Sequence, residues 1–164
     1  MIIEVSGDIL LTQAEAIVHG VAPNDDFATG LSHALREKAP TLYKDFRHYC
    51  QTKHPDAGGL WDWQGPGCKR VVSLLTQKGA YGHGEKPGHA TTSNINHCLH
   101  ALKKFIQHEK IKSIAMPRLA TGSGGLAWSD VKPLIQSVLG DVGIPVVVYS
   151  EFHAGVAANE GLKS

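Results

Sequence analysis

The chain has 164 residues, 42% of them hydrophobic, and a formal net charge of +1. This length supports one domain with a full core and is short for two. The near balance of 16 basic and 15 acidic residues disfavours broad electrostatic binding of nucleic acid. Three cysteines without a CxxC pair argue against a disulfide framework or zinc site, and no apolar run has membrane-spanning length. We expect a cytoplasmic monomer without membrane, metal or cofactor.

Alternating apolar runs and amphipathic segments divide the chain into strands and helices. Apolar runs that end in polar residues or glycine predict strands over residues 1–5, 15–19, 60–63, 70–75, 111–116 and 146–149. Apolar residues at helical spacing predict helices over residues 30–39, 41–53, 93–109 and 129–139. The turn at 64–67 predicts a hairpin. This order predicts an α/β domain over residues 1–150, with a largely parallel central sheet and helices on both faces. Residues 151–164 are expected to form a short, partly mobile tail.

Ligands of such sheets bind beyond the carboxyl ends of the strands. Four segments are expected to meet there: Asp8, residues 19–30, the long loop 77–92, and the glycine-dense turn 121–126. A glycine turn between a strand and a helix can bind a phosphate through its backbone amides. Its glycines could equally serve only to allow positive φ in a tight connection.

A histidine-rich stretch on the third predicted helix invites a metal hypothesis. His97, Cys98 and His100 lie close together in the sequence. Neighbouring helical positions point about 100° apart, so these side chains do not converge on one ion. We therefore expect a solvated helix face with one buried thiol.

Three segments in this order resemble the macrodomain family, which binds ADP-ribose. They are VSGDILLTQAEAIVHG at 5–20, ATGLSHAL at 28–35 and MPRLATGSGGLAWSDV at 116–131. The resemblance spans nearly all of residues 1–150. It implies a three-layer α/β/α macrodomain fold with a mixed, largely parallel central sheet.

The resemblance also implies a set of residues that bind ADP-ribose. Asp8 would accept a hydrogen bond from the adenine amino group, and Tyr149 would lie against the adenine, with Phe152 as a substitute. The segment 29–31 would hold one side of the diphosphate, and 121–126 the other side and the distal ribose. The residues implied to bind are Asp8, Ile9, Thr29, Gly30, Leu31, Thr121, Gly122, Ser123, Gly124, Gly125, Leu126 and Tyr149. Asp8 could instead cap the following turn, and Tyr149 could be a core aromatic.

The chain departs from the family's commonest hydrolases. Those that remove ADP-ribose from acidic side chains usually carry an asparagine pair where this chain has residues 19–22, and a triple glycine where it has 28–30. The branch of terminal ADP-ribose glycohydrolases and DNA-deADP-ribosylating antitoxins is closer overall. That branch has a lysine directly after a strand-ending threonine, whereas here Gln77 follows Thr76 and Lys78 comes one residue later.

A third branch comprises small phosphatases that act on ADP-ribose 1''-phosphate. They share a histidine at the position of His19 and the string HGEK, here 83–86. These likenesses favour a metal-independent phosphatase that releases ADP-ribose and phosphate. His19 would carry the proton, because imidazole titrates near neutral pH.

Other side chains near His19 would complete the predicted catalytic site. Asp25 or Asp26 would orient His19 or activate water, and Lys78 and Lys86 would pair with the phosphate. His19 could instead be a structural histidine at a strand end, and the two aspartates solvated loop residues. Two other functions stay open. One is a glycohydrolase that removes ADP-ribose from protein or nucleic acid through Lys78, and the other is a non-catalytic ADP-ribose reader.

Overall fold

The computed structural model describes residues 1–82, 84–122 and 124–162. Its strands are Ile2–Gly7 (β1), Ala16–Val21 (β2), Leu60–Trp63 (β3), Arg70–Leu75 (β4), Ile114–Pro117 (β5) and Val146–Phe152 (β6). Its α-helices are Gly30–Lys38 (α1), Pro40–Lys53 (α2), Thr92–Glu109 (α3) and Trp128–Leu139 (α4), and a 3₁₀ turn covers Ile9–Leu11. None of the helices in these ranges is long and apolar enough to cross a membrane.

The strands form one sheet in the order β1-β6-β5-β2-β4-β3. Every neighbouring pair is parallel except β3 and β4, which form the antiparallel hairpin predicted from the turn at 64–67. The predicted mixed, largely parallel sheet is therefore confirmed. Because β2, β4, β5 and β6 run in one direction, their carboxyl ends meet at one edge, where ligands of α/β sheets bind.

Both faces of the sheet are covered by helices. Apolar side chains of α3 and α4, including Leu99 and Ile135, pack with Val18 of β2 on one face. Side chains of α1 and α2, including Leu35 and Phe46, pack with Ile17 of β2 on the other. Successive residues of a strand point to opposite faces, so a strand buried on both sides is apolar throughout. The predicted α/β/α layering is confirmed.

The strand predicted over residues 111–116 begins three residues later, at Ile114. Helix α3 ends at Glu109 and is capped by Lys110, whose φ of 53° is left-handed, and the amide of Ile111 still donates to the carbonyl of Ile106. The side chain of Ile111 is buried in the core. The apolar run correctly indicates that Ile111 is buried. The backbone of Ile111, however, completes the end of α3 and is not part of a strand.

The described part of the tail is mostly exposed but is hydrogen-bonded to the domain at several points, and its partial mobility remains a prediction. The amide of Asp8 donates to the carbonyl of Val156 at 2.7 Å. A Cβ on Gly7 would lie 2.8 Å from that same carbonyl oxygen, so only glycine lets the tail approach β1 this closely. Glu160 is 7% exposed and accepts hydrogen bonds from the Tyr149 hydroxyl at 2.8 Å and the Gln13 amide at 2.9 Å. A buried carboxylate with two or more donors anchors the segment.

The histidine-rich stretch of α3 has the arrangement expected from helical spacing. His97 and His100 are exposed, and Cys98 is buried. The Cys98 thiol donates to the carbonyl of Leu75 at 3.3 Å, and burial raises its pKa to about 12. The thiol therefore faces the core, away from both imidazoles.

Candidate active site

A cleft follows the sheet edge where the parallel strands end. It consists of three adjoining cavities of about 410, 340 and 320 Å³. We call them the apolar, middle and distal cavities. The residues shared by the apolar and middle cavities are Gly30, Leu31 and Pro117. Those shared by the middle and distal cavities are Gly20, Thr29, Ser32 and Gln77. The shared walls make the three cavities one continuous groove.

Aromatic and aliphatic side chains form the apolar cavity. Tyr149, in the middle of β6, lines it, and Ile9 and Leu31 contribute aliphatic groups. The Tyr149 hydroxyl donates to Glu160, and burial raises the pKa of Tyr149, so the hydroxyl stays protonated at neutral pH. Phe152 lies at the rim with 66% of its surface exposed. Such walls suit a flat aromatic ligand group.

The carboxylate of Asp8 is already engaged inside the protein. One oxygen accepts from the Leu10 amide at 3.0 Å and caps the 3₁₀ turn, and the other accepts from the Gly155 amide at 2.9 Å. This matches the capping alternative. A carboxylate has about four acceptor positions, so the predicted bond to adenine is compatible with both contacts and remains a prediction.

The glycine loop after β5 forms one wall of the middle cavity. Its left-handed residues are Ala120, with φ of 60°, and Gly125, with φ of 79°. Gly124 is required for a different reason, since a Cβ there would lie 2.6 Å from the carbonyl oxygen of Ala120. A Cβ on Gly122 would meet open space. Gly122 therefore exposes bare backbone to the cleft, as a phosphate-binding loop requires.

A cation beside this loop escaped the sequence analysis. Arg118 lines the middle cavity, and its guanidinium lies 5.5 Å from the centre of the Trp128 ring. The hydroxyl of Thr121 donates back to the Arg118 carbonyl at 2.9 Å, which makes Thr121 a turn former. Ser123, also predicted to bind ligand, lies outside the described residues. The sequence feature that indicates Arg118 is its position three residues before a glycine turn, because an arginine beside such a turn is suited to phosphate recognition.

The described residues of the loop between β4 and α3 fold back against the start of the loop and line the distal cavity. The side-chain amide of Gln77 donates to the Gly88 carbonyl at 2.8 Å, and the Gly88 amide donates to the Lys78 carbonyl at 3.0 Å. The Ala90 amide donates to the Gly124 carbonyl at 3.0 Å, which joins this loop to the glycine loop. These bonds bring Gln77 and Lys86 into the wall of the distal cavity.

The two predicted lysines are placed differently. Both lysines are exposed, but Lys86 lines the distal cavity, whereas Lys78, among the described residues, lies outside the lining of the cleft. Its neighbour Gln77 takes the inward position. A lysine shifted by one residue along this segment therefore points to a different side from Gln77. His83, the first residue of the HGEK string, lies outside the described residues.

Of the two predicted aspartates, Asp25 lines the distal cavity with Lys86. Its Oδ2 accepts from the Phe27 amide at 2.9 Å, and burial raises the pKa of Asp25. Asp26 is exposed, and its Oδ1 accepts from the Ala28 amide at 3.1 Å. A carboxylate with a raised pKa in a cleft is a candidate general base.

His19 lies in the floor of the middle cavity and is only 2% exposed. Its Nε2 is 2.8 Å from the Ser73 hydroxyl and its Nδ1 is 3.2 Å from that of Ser32. The ring packs edge-on against Phe27, with 5.6 Å between centroids. Burial lowers the pKa of His19 to about 4, so the imidazole is neutral near pH 7. These contacts fit the alternative that His19 is a structural histidine at a strand end. They also orient the hydroxyl of Ser32, a cleft residue that the sequence analysis did not single out.

Burial of neutral His19 makes the stability of the fold sensitive to acid. The unfolded imidazole has a pKa near 6.5, above the folded value of about 4. Its contribution to the free energy of unfolding is therefore full above about pH 6.5 and falls as the pH drops from about 6.5 towards 4, by up to about 3 kcal/mol. Urea denaturation at pH 7, 5.5 and 4.5 should show a shallower decline for His19→Gln than for the wild type. The exposed His33→Gln variant is the control, and equal slopes in all three proteins would contradict the assignment.

The structure brings together most of the predicted site residues. The predicted residues that line the cleft are Ile9, His19, Asp25, Thr29, Gly30, Leu31, Lys86, Gly122, Gly124, Tyr149 and Phe152. The described residues predicted for the site that lie outside this lining are Asp8, Asp26, Lys78, Thr121, Gly125 and Leu126. Leu126 packs against the core beneath α3 and α4, and a Cβ on Gly125 would lie 3.1 Å from the His89 ring. Their roles towards a ligand remain predictions.

Several known proteins are similar to this chain over most of its length. The DNA ADP-ribosyl glycohydrolase of Mycobacterium tuberculosis is 26% identical over 162 residues, which cover 96% of this chain and 44% of that protein. The DNA ADP-ribosyl glycohydrolase of Thermus aquaticus is 28% identical over 152 residues, covering 88% of this chain and 40% of that protein. The chain thus spans less than half the length of these relatives.

Solved structures and a family model agree with this similarity. The macrodomain of Mycobacterium tuberculosis DarG superposes with a TM-score of 0.79 at 25% identity, covering 91% of this chain and 97% of that one. The macrodomain of Thermus aquaticus DarG gives a TM-score of 0.79 at 27% identity, covering 92% and 98%. The family model described as Macro domain matches residues 18–135. With the α/β/α fold and the cleft at its sheet edge, this match shows that the chain belongs to the Macro domain family.

Proposed function

We propose that this protein binds ADP-ribose in the cleft and hydrolyses the bond that joins the distal ribose to a macromolecule. The observation that carries the proposal is the order of the three cavities, which is apolar, then glycine-lined, then charged. ADP-ribose has the same order of an aromatic base, a diphosphate and a terminal ribose. Adenine would bind beside Tyr149 and Phe152, and the distal ribose beside Asp25 and Lys86.

The middle cavity has the donors that a diphosphate needs. Helix α1 begins at Gly30, whose φ of 59° and open surroundings leave its backbone bare. Residues at the start of this helix and Gly122 of the glycine loop line the same cavity. Backbone amides at a helix start and a glycine turn favour anions, and the Arg118 guanidinium adds charge. The diphosphate would therefore bridge α1 and the glycine loop.

Asp25 and Lys86 supply the chemistry at the distal end. Asp25, with its raised pKa, would accept a proton from a water molecule as the water oxygen bonds to C1'' of the ribose. The bond from C1'' to the macromolecule breaks, and its electron pair leaves with the departing atom. The Lys86 ammonium would stabilise the developing negative charge. The proton held by Asp25 then passes to the departing group, directly or by way of solvent, so that the products are free ADP-ribose and the protonated macromolecule.

DNA is the macromolecule we propose, on the similarity to two proteins that are named DNA ADP-ribosyl glycohydrolases. The lysine that the resemblance implies after Thr76 is Gln77 in this chain. The distal cavity nevertheless contains a lysine, contributed by the folded-back loop at Lys86. We therefore propose that Lys86, and not Lys78, is the lysine of this site.

The lysine assignment is tested by a matched pair of variants. Lys86→Gln should lower the rate of ADP-ribose release by about tenfold or more, because a cation beside the reacting bond stabilises the transition state. Lys78→Gln should leave the rate within about twofold, since its side chain lies outside the cleft. Single-turnover assays on ADP-ribosylated DNA measure both. A larger loss in Lys78→Gln than in Lys86→Gln would reverse the assignment.

A phosphatase acting on ADP-ribose 1''-phosphate is the second candidate. The observation that favours it is a cation, Lys86, together with His89 in the cavity where a terminal phosphate would lie. A neutral, buried His19 gives less support to its predicted role in proton transfer.

One set of assays separates the functions. Equal amounts of ADP-ribosylated DNA, mono-ADP-ribosylated protein and ADP-ribose 1''-phosphate are incubated with the protein, and ADP-ribose and phosphate are measured. Release of ADP-ribose from DNA supports the proposal. Phosphate release alone favours the phosphatase, and calorimetric binding of ADP-ribose without any product favours the reader. Absence of ADP-ribose binding would overturn all three.

A further inference from the structure

A second cavity, of about 320 Å³, lies on the face of the sheet covered by α1 and α2. We call it the lysine cavity. Its apolar walls are formed by Leu10, Ile17, Leu35, Leu42, Trp63 and Val71. Leu10 also lines the apolar cavity of the cleft, and the other wall residues are distinct from those of the cleft. The lysine cavity is therefore separate from the proposed ADP-ribose site.

Two ammonium groups border this apolar space. Nζ of Lys69 donates to the Ala14 carbonyl at 2.6 Å, and Nζ of Lys38 donates to the Leu10 carbonyl at 3.4 Å. Each bond uses one of three ammonium protons. Among the described residues, neither lysine forms a salt bridge, and no Asp or Glu lines the cavity. Lys69 is half-buried and Lys38 is exposed, so both ammonium groups keep donors from which an anion in the cavity can accept.

Two carboxylates in the neighbourhood of the lysine cavity accept hydrogen bonds from other groups. Glu160 raises the pKa of Lys69 through its charge, but its oxygens accept from Tyr149 and Gln13. Asp45 accepts from the indole nitrogen of Trp63 at 2.7 Å. The net effect on Lys69 is a lowered pKa, caused first by burial. The Lys69 ammonium is thus partly desolvated, and among the described residues no carboxylate forms a salt bridge with it.

The start of helix α2 adds a third positive element. Ala39 lines the lysine cavity and precedes α2, and this helix start has no side-chain cap. Helix α2 has 14 residues, so its positive N-terminal end favours a nearby anion. Two lysines and this helix start border the same apolar cavity.

We propose that the lysine cavity binds a small amphipathic carboxylate, with its apolar body against the aliphatic and indole walls and its carboxylate between Lys38 and Lys69. Burial of the body would drive binding, and the two ammonium groups would select the anion. A volume near 320 Å³ is at the lower end for ligand sites. The ligand is therefore a short-chain or single-ring acid.

The reactivity of the Cys68 thiol reports whether a ligand occupies the lysine cavity. It lines the cavity and is half-buried, whereas Cys50 and Cys98 are buried in the core. Octanoate, used as the probe, should slow alkylation of Cys68 by iodoacetamide in a saturable way, measured by mass spectrometry of the peptides. Octan-1-ol, which has the same chain length and no charge, should protect Cys68 at least tenfold less well. Equal protection by octanol, or none by octanoate, would overturn the proposal.

Variants distinguish octanoate binding in the lysine cavity from non-specific binding of octanoate to the protein surface. Lys69→Gln and Lys38→Gln should each raise the dissociation constant of octanoate about tenfold, and Lys44→Gln, an exposed change on α2, should leave it unchanged. Affinity should rise about fourfold per methylene from hexanoate to octanoate. Ala39→Phe fills the cavity and should abolish protection while ADP-ribose binding in the cleft persists. An equal effect of Lys44→Gln, or full protection in a folded Ala39→Phe protein, would contradict the site.

Discussion

Gly122→Val is expected to weaken ADP-ribose binding about a hundredfold while the fold stays intact. Gly122 lines the middle cavity, its φ is outside the left-handed region, and a Cβ there would meet open space. A valine is therefore tolerated by the protein, but its two methyl groups would fill the volume proposed for the diphosphate. Isothermal titration calorimetry measures the affinity, and thermal unfolding measures the fold.

Two other glycine variants make this test specific. Gly59→Val also places a side chain in open space, but away from the cleft lining, so affinity and stability should both stay near wild type. Gly124→Val should instead destabilise the protein, because its Cβ would lie 2.6 Å from the Ala120 carbonyl oxygen. Wild-type affinity in Gly122→Val would remove the glycine loop from the binding site.

Asp25→Asn is expected to lower the rate of hydrolysis a hundredfold or more, with ADP-ribose affinity within a few-fold of wild type. The amide can still accept from the Phe27 backbone, so local structure is kept, but it cannot take a proton from water. Since the pKa of Asp25 is raised, the wild-type rate should fall with decreasing pH as this carboxylate becomes protonated. Single-turnover rates between pH 5 and 8 measure both effects.

The neighbouring Asp26→Asn is the matched control for Asp25→Asn. Asp26 is exposed and lies outside the lining of the cleft in the described structure. The rate of hydrolysis by Asp26→Asn should stay within about twofold of the wild-type rate. If Asp26→Asn loses as much activity as Asp25→Asn, or if Asp25→Asn is fully active, Asp25 is not the general base.

Much of the fold could be predicted from the period of apolar residues. Strand β2 begins with the apolar run 16–18, because both faces of the strand are buried, and α3 shows the 3.6-residue spacing of a helix packed on one side. The start of β5 could not be predicted, because Ile111 is buried like a strand residue while its amide closes a helix end. The packing of the tail depends on Glu160, whose partners are distant in sequence.

The candidate site was predictable where it depends on strand ends and less so where it depends on loop paths. Tyr149 and Gly30 line the cleft because β6 and the segment after β2 end at the same edge. The place of Lys86 in the cavity lining depends on the bond from Gln77 to Gly88 and the bond from Ala90 to Gly124, which no local sequence pattern reveals. The lowered pKa of His19 likewise comes from complete burial, a property of the assembled core.

A crystal structure of the protein with ADP-ribose tests the central claim most directly. We expect the adenine beside Tyr149 and Phe152, the diphosphate between Gly30 and Gly122, and C1'' of the distal ribose in the cavity that holds Asp25 and Lys86. The opposite orientation, or ADP-ribose bound outside this cleft, would contradict the account.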